Sequence, residues 1–244
     1  MYIRVYVKSS YITKFTMERN SIPSLCLGML GILACLTISN GLHSDIYCLR
    51  SIKESLADPG HVLSTWDFRN NTEGFICRFV GVRCSNNQEN LVLGVSLRDA
   101  GLIGPFPIGI RNCTAMQDLD LSGNYLSGSI PSNLAYDLPY LVSLNLSNNN
   151  LSGPIPPSIA YFVFINVLRL DNNQLTGRIP LELSQLDHIV EFSVANNRLL
   201  GPVPAFLNSN FSVESYANNL GLCGYPMSCC KNEDDEEDLF LVAS

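Results

Sequence analysis

One eight-residue phrase recurs along this chain and limits what the rest can be. Asn124-Tyr125-Leu126-Ser127-Gly128-Ser129-Ile130-Pro131 returns as Asn149-Asn150-Leu151-Ser152-Gly153-Pro154-Ile155-Pro156, as Asn173-Gln174-Leu175-Thr176-Gly177-Arg178-Ile179-Pro180 and as Asn197-Arg198-Leu199-Leu200-Gly201-Pro202-Val203-Pro204, at steps of 25, 24 and 24 residues. A worn copy, Ala100-Gly101-Leu102-Ile103-Gly104-Pro105-Phe106-Pro107, stands 24 residues earlier with Ala100 in place of Asn, making five units. A unit this short cannot enclose its own apolar face and must stack on its copies, so the period specifies a solenoid with one continuous core.

Ahead of each Asn lies an alternating run: Leu119-Asp120-Leu121, Leu144-Asn145-Leu146, Leu168-Arg169-Leu170 and Phe192-Ser193-Val194. A period of two is that of a strand with one buried face, and successive strands should stack into a parallel sheet on the concave side. Where the chain turns away, Asn124, Asn149, Asn173 and Asn197 are expected to point inward as a structural ladder. They would satisfy backbone groups whose orphaning costs about 1–3 kcal/mol per coil. Gly128 and its counterparts permit positive φ or close approach on the return leg, and Pro131 and its counterparts start the convex side with a fixed φ and no amide to satisfy. The combined pattern LxxLxLxxNxLxGxIP is identified as the plant-specific class of leucine-rich repeat. The fold class that follows is α/β, a solenoid of five repeats with a parallel sheet on the concave face and Cys-containing caps at both ends.

A chain of 244 residues with 46% apolar content suffices for one elongated domain. A formal charge of −7, with Lys and Arg scattered rather than striped, argues against a nucleic-acid groove. Residues 1–16 match no interpretable pattern. From Met17, Arg19, the uncharged apolar run 22–38 and the small residues of 39–44 read as a secretion signal, with the mature chain expected to begin near Asp45. The competing reading is an uncleaved membrane anchor, for which 17 apolar residues is the short edge. Near the other end Glu233-Asp234-Asp235-Glu236-Glu237-Asp238 is a run of like charge expected to stay solvated. The expected organisation is a leader at 1–44, a cap at 45–90, repeats at 91–207, a second cap at 208–230 and an acidic tail at 231–244.

Open solenoid ends need lids. The spacing Ile46, Leu49, Ile52 or Lys53, Leu56 predicts a short helix with Asp45 as N-cap and Asp58-Pro59-Gly60 as its stop, and with Trp66 it should form the first lid. Of nine Cys, Cys26 and Cys35 fall in the leader, and the odd remainder leaves one thiol over. A disulfide between Cys77 and Cys84 would contribute about 2.5 kcal/mol in the chain-entropy estimate. Asn218-Asn219-Leu220-Gly221-Leu222-Cys223-Gly224 closes the far end, with Cys230 the expected partner of Cys223 and Cys229 its rival. A zinc site on Cys223, Cys229 and Cys230 is the sharper alternative, but no His lies nearby. Spacing identifies no partner for Cys48 or Cys113: they pair with each other or with Cys229.

His43, His61 and His188 lie in the leader, at the exit of the cap helix and on the convex side, and no nucleophile elbow, HExxH, phosphate loop or kinase motif appears. Asp118, Asp120 and Glu191 can be read as paired acids of a glycosidase, but outward strand positions ordinarily carry solvated polar groups. No catalytic residue, cofactor or metal is expected. Of the sequons at Asn70, Asn112, Asn145, Asn150 and Asn210, the two in loops, Asn70 and Asn112, are expected to carry glycans. The remaining candidates are the outward strand positions Ser96, Arg98 and Asp99; Asp118, Asp120 and Ser122; Ser143, Asn145 and Ser147; Val167, Arg169 and Asp171; and Glu191, Ser193 and Ala195. In a solenoid these line one concave recognition surface, with Arg98, Asp120, Asn145, Arg169, Asp171 and Glu191 the expected partner contacts.

With caps, repeats and closing motif together, the chain resembles the extracellular part of plant leucine-rich repeat receptor-like kinases, and more narrowly the BIR-type pseudokinase receptors. The narrower marks are Asp45-Ile46-Tyr47-Cys48-Leu49-Arg50-Ser51-Ile52-Lys53, Leu63-Ser64-Thr65-Trp66, the Cys77/Cys84 pair around Phe79-Val80-Gly81-Val82, Cys113 and the closure at 218–224. The resemblance implies a non-enzymatic, extracellular or cell-surface protein that binds SERK co-receptor ectodomains side by side and withholds them from ligand-sensing receptors. No transmembrane or kinase segment follows Cys230, so the chain is expected to be a truncated receptor or a free ectodomain acting as a decoy. The alternative is a secreted inhibitor of the polygalacturonase-inhibiting kind, built on the same repeat. It predicts more repeats and a doubled Cys in the first cap, and neither is present.

Overall fold

The computed structural model describes residues 44–70, 72–86, 89–206 and 211–228. The leader, the acidic tail, Asn210, Cys229 and Cys230 lie outside the described residues.

The chain is helical over 44–55 (α1), with Cys48, Leu49 and Ile52 on its buried face. Asp45 is not its N-cap: the helix is already formed at Ser44, and the Asp45 carboxylate is buried where it accepts the Val92 amide at 2.7 Å. The stop also comes earlier than the Asp58-Pro59-Gly60 turn. Asp58 instead accepts the amides of Val62 and Leu63 at 3.0 and 2.8 Å, opening the 3-10 turn Val62–Thr65. Trp66 is fully buried, stacks on Phe79 at 5.7 Å, and donates its indole N–H to the Val80 carbonyl. Cys48 pairs with Cys113 across 65 residues and Cys77 with Cys84. The first bond ties α1 to the turn Ile108–Asn112 of the first repeat, and closing a loop of that size is worth about 4 kcal/mol in the chain-entropy estimate.

β1 (Val82–Cys84) runs antiparallel to β2 (Val92–Ser96), and from there β4 (Asp118–Asp120), β6 (Ser143–Asn145), β8 (Val167–Arg169) and β10 (Glu191–Ser193) add in parallel. Each register step is one repeat, so Leu119, Leu144, Leu168 and Phe192 form a single buried column. The return legs also form a sheet, which the repeat pattern alone does not announce. β3 (Ile103–Pro105), β5 (Tyr125–Gly128), β7 (Asn150–Pro154), β9 (Gln174–Gly177), β11 (Arg198–Pro202) and β12 (Gly221–Cys223) lie in parallel order. Their signal was a short alternation in which Leu126, Leu151, Leu175 and Leu199 are buried between exposed neighbours.

The Asn ladder joins consecutive coils. The Oδ1 of Asn173 accepts the Leu151 amide of the coil before at 3.0 Å, while its Nδ2 donates to Leu146 of that coil at 2.9 Å and to Leu170 of its own at 3.1 Å. Asn124, Asn149 and Asn197 repeat the arrangement, and Asn219 adds a further rung by accepting the Leu199 amide. Because each rung serves the coil that precedes it, Asn at position 100 would have no repeat to serve. That accounts for Ala100. The residue before each rung is left-handed, with φ of 50° at Asp99, 68° at Gly123, 56° at Asn148 and Asn172, 54° at Asn196 and 56° at Asn218. Only Gly, Asn and Asp adopt this conformation cheaply, which explains the Asn doublets.

The far end is closed by a sixth, degenerate coil. Ser215 and Ala217 accept the amides of Val194 and Asn196 where a strand would otherwise lie, and Phe206, Phe211 and Tyr216 gather around Phe192. Burial pushes the Tyr216 phenol up to about 12. Cys223 is disulfide-bonded, so it is not a thiolate zinc ligand, and its partner lies outside the described residues.

The buried Asp45 gives this fold a pH dependence. Burial pushes its carboxyl from 3.8 up to about 6, with the Val92 amide offsetting part of the shift. A carboxyl raised by folding carries a penalty that grows as pH rises from near 4 to near 6 and is complete above that window. Asp45→Asn keeps an acceptor for Val92. It should stabilise the protein by about 2–3 kcal/mol at neutral pH and by almost nothing near pH 4, as read from urea unfolding at the two pH values.

Candidate protein-binding surface

Sheet pleating sends every second residue of the concave strands outward, and what becomes of those side chains depends on their row. In the row beside the turn, Ser122, Ser147, Asp171 and Ala195 are buried. In the next row Asp120 accepts the Ser122 amide and hydroxyl at 3.0 and 2.6 Å, and Asn145 does the same for Ser147 at 3.1 and 2.8 Å. Asn145 and Asp171, expected as partner contacts, are therefore not available as such: Asn145 is 8% exposed and Asp171 6%. The reason is local: Asn145, a short acceptor two residues before a turn, folds back onto the turn's own donors, and Asp171, beside the turn, accepts from the Arg169 and Asn172 side chains.

The accessible groups are charged and lie toward the two ends. Arg83 of β1, which is not among the expected contacts, crosses Gly94 and pairs with Asp118; a Cβ at Gly94 would come within 3.3 Å of its guanidinium. Arg98 and Asp99 are exposed beside each other. Arg169 bridges Asp171 at 3.3 Å and Glu191 at 3.5 Å across two strands. The suspected acids thus have separate structural partners. Asp118 and Glu191 lie three strands apart, about 14 Å at sheet spacing, which is too far for a glycosidase pair. Among the described residues no group of three or more His, Cys, Asp or Glu is placed to hold a metal ion.

A second surface lies on the flank that leads into the concave strands. Tyr140 and Phe164, at equivalent positions of consecutive repeats, stack at 6.3 Å, and Tyr136 meets Tyr161 at 5.4 Å. All four are exposed, as are Val163 and Val190 beside them. Their signal was the repeat itself: an aromatic returning where the consensus requires none. Of the expected glycan acceptors, Asn70 is exposed with its Oδ1 on the Thr72 amide, whereas Asn112 is half-buried and donates its Nδ2 to Gly109. No helix among the described residues is long and apolar enough to cross a membrane.

Comparison with known proteins places this arrangement. The leucine rich repeat N-terminal domain matches residues 42–85, and the leucine rich repeat matches 115–136, 140–162 and 164–186. The BIR2 ectodomain of Arabidopsis thaliana superposes with a TM-score of 0.75 at 51% identity, covering 76% of this chain and 98% of that one. A chain of the BIR3–SERK2 complex from the same plant gives 0.73 at 44% identity, covering 77% and 100%. A curated leucine-rich repeat receptor-like protein kinase of Arabidopsis thaliana is 52% identical over 203 residues, 81% of this chain and 33% of that one. The inactive LRR receptor-like serine/threonine-protein kinase BIR2 is 50% identical over 109 residues, 45% of this chain and 18% of that one. The chain therefore spans at most a third of the length of these curated relatives. With matching repeats, matching cap and near-complete coverage of a solved ectodomain, the chain belongs to the plant leucine-rich repeat receptor-like kinases, in the extracellular region of their BIR type.

Proposed function

We propose that this chain is a non-enzymatic extracellular module that regulates receptor-kinase signalling at the plant cell surface by binding a SERK-type co-receptor ectodomain. The observation that carries the reading is the likeness, over the full length of the matched chain, to a component of the BIR3–SERK2 complex. The surface agrees with it. The half-exposed ion pairs Arg83–Asp118 and Arg169–Glu191 at the ends of the concave sheet and an exposed aromatic flank are accessible for contact. Rim charges of this kind steer encounter and register, and aromatic rings supply anchoring area.

The secreted chain, titrated into a SERK ectodomain by calorimetry, should bind with micromolar or tighter affinity and with an on-rate that falls as salt rises. No heat at about 10 μM of both partners would count against the reading.

A further inference from the structure

Five sequons are present, and the fold sorts the four whose Asn is among the described residues by whether the acceptor nitrogen can face solvent. An oligosaccharide attached during synthesis stays on the chain, so the folded protein must hold it outside. Asn145 cannot: it is buried, its Oδ1 holds the Ser147 amide and hydroxyl, and Ser147 itself is buried. Asn112 is half-buried and its Nδ2 is bonded to the Gly109 carbonyl at 2.9 Å. Its own carbonyl accepts the Ser44 hydroxyl, and the next residue, Cys113, is locked to Cys48. Asn150, only five residues after Asn145, lies on the other sheet. It opens β7 with its side chain exposed, and Ser152, the hydroxyl residue of the sequon, is exposed on the same face.

We propose that Asn150 carries an N-linked glycan, and that this glycan reserves the outer face of the second sheet from protein contact. The surroundings suit a sugar. Across the strand from Asn150 is Ser127, across from Ser152 is Gln174, and across from Thr176 is Arg198. Small hydroxyls and amides leave room for the core saccharides, and Tyr125, two residues before Ser127 and exposed, offers a ring face beside them. The contrast with the flank bearing Tyr140 and Phe164 is chemical: that flank is apolar and suits protein, whereas the middle of the sheet face, around Asn150, Ser152, Gln174 and Thr176, is polar and suits carbohydrate, with the exposed Ile103 and Leu200 lying toward its two ends. In the reaction the Asn150 Nδ2 forms a bond to the anomeric carbon of a polyprenyl-pyrophosphate-linked oligosaccharide. The bond from that carbon to the pyrophosphate oxygen breaks, the lipid pyrophosphate leaves with the electron pair, and the amide loses one proton.

The inference rests on the extracellular part of the proposed function and not on the identity of the partner. The full chain secreted from plant cells is digested with a glycan-releasing amidase in heavy-oxygen water, which converts each occupied Asn to labelled Asp, and peptides are read by mass spectrometry. Label at Asn150, with Asn145 and Asn112 bare, is expected. Ser152→Ala and Asn150→Gln should each remove one glycan from the intact mass. Sugar at Asn70 with Asn150 bare overturns the proposal while leaving the extracellular reading intact, and a chain bare throughout overturns both. Ser152→Ala should leave affinity for a SERK ectodomain within about twofold; a tenfold gain would show that the glycan screens the partner face and would overturn the second half.

Discussion

Replacing Asn173 by Leu should lower the unfolding free energy by about 4 kcal/mol, several times the cost of changing its neighbour. Asn173 is buried with its Oδ1 on the Leu151 amide and its Nδ2 on the carbonyls of Leu146, Leu170 and Asp171. Leu fits the volume but leaves these groups without partners, each orphan costing on the order of 1–3 kcal/mol. Asn172 is held at a φ of 56°, with its Oδ1 accepting from the side-chain Nδ2 of Asn196 at the surface. Asn172→Ala therefore costs about 1–2 kcal/mol, set by the left-handed backbone. Urea midpoints of the two variants decide this, and equal losses would mean that the inner ladder does not carry the stack. Because each coil touches only its neighbours, hydrogen exchange in Asn173→Leu should rise first in the second and third clear repeats.

Glu191→Asn should abolish binding to a SERK ectodomain, a loss of about 100-fold or more, although it removes only one half-exposed acid. The substitution creates an Asn-Phe192-Ser193 acceptor on β10, the last strand of the concave sheet, and a glycan there covers the charged end of that surface, where Arg169 lies. Glu191→Gln removes the same contact to Arg169 without creating an acceptor. As an ion pair at a half-exposed site it should cost no more than about fivefold. Adding Ser193→Ala to Glu191→Asn should restore binding. Full binding by the glycosylated variant would move the contact off the concave sheet and onto the flank of Tyr140 and Phe164.

The solenoid was legible because its determinants are columns. A buried strand Leu, an inward Asn and a turn Gly repeat at fixed spacing, and a mistake in one repeat is corrected by the next. The caps were legible only in outline. Asp45 looked like a helix cap by residue type, yet a carboxylate can cap a helix or bind a distant strand amide, and only the approach of Val92 chose between them. Cys48 had two prospects, Cys113 and Cys229, between which spacing did not choose until the turn at Ile108–Asn112 was brought against α1. The second sheet escaped because its strands are short and each is half turn; alternation over three or four residues is too brief to separate from an irregular return leg.

By itself the sequence determined the repeat period, the buried columns and the family, because these depend on local spacing and on residue types with one physical use. Tertiary structure alone decided which polar residues of the concave face stay free. Asp120, Asn145 and Asp171 occupy outward positions, but Ser122, Ser147 and Arg169 claim them, each two residues away, and only the folded turn and the stacking of the coils bring those partners onto them and bury Asn145 and Asp171. Outward position is a property of the strand, whereas availability is a property of everything packed around it.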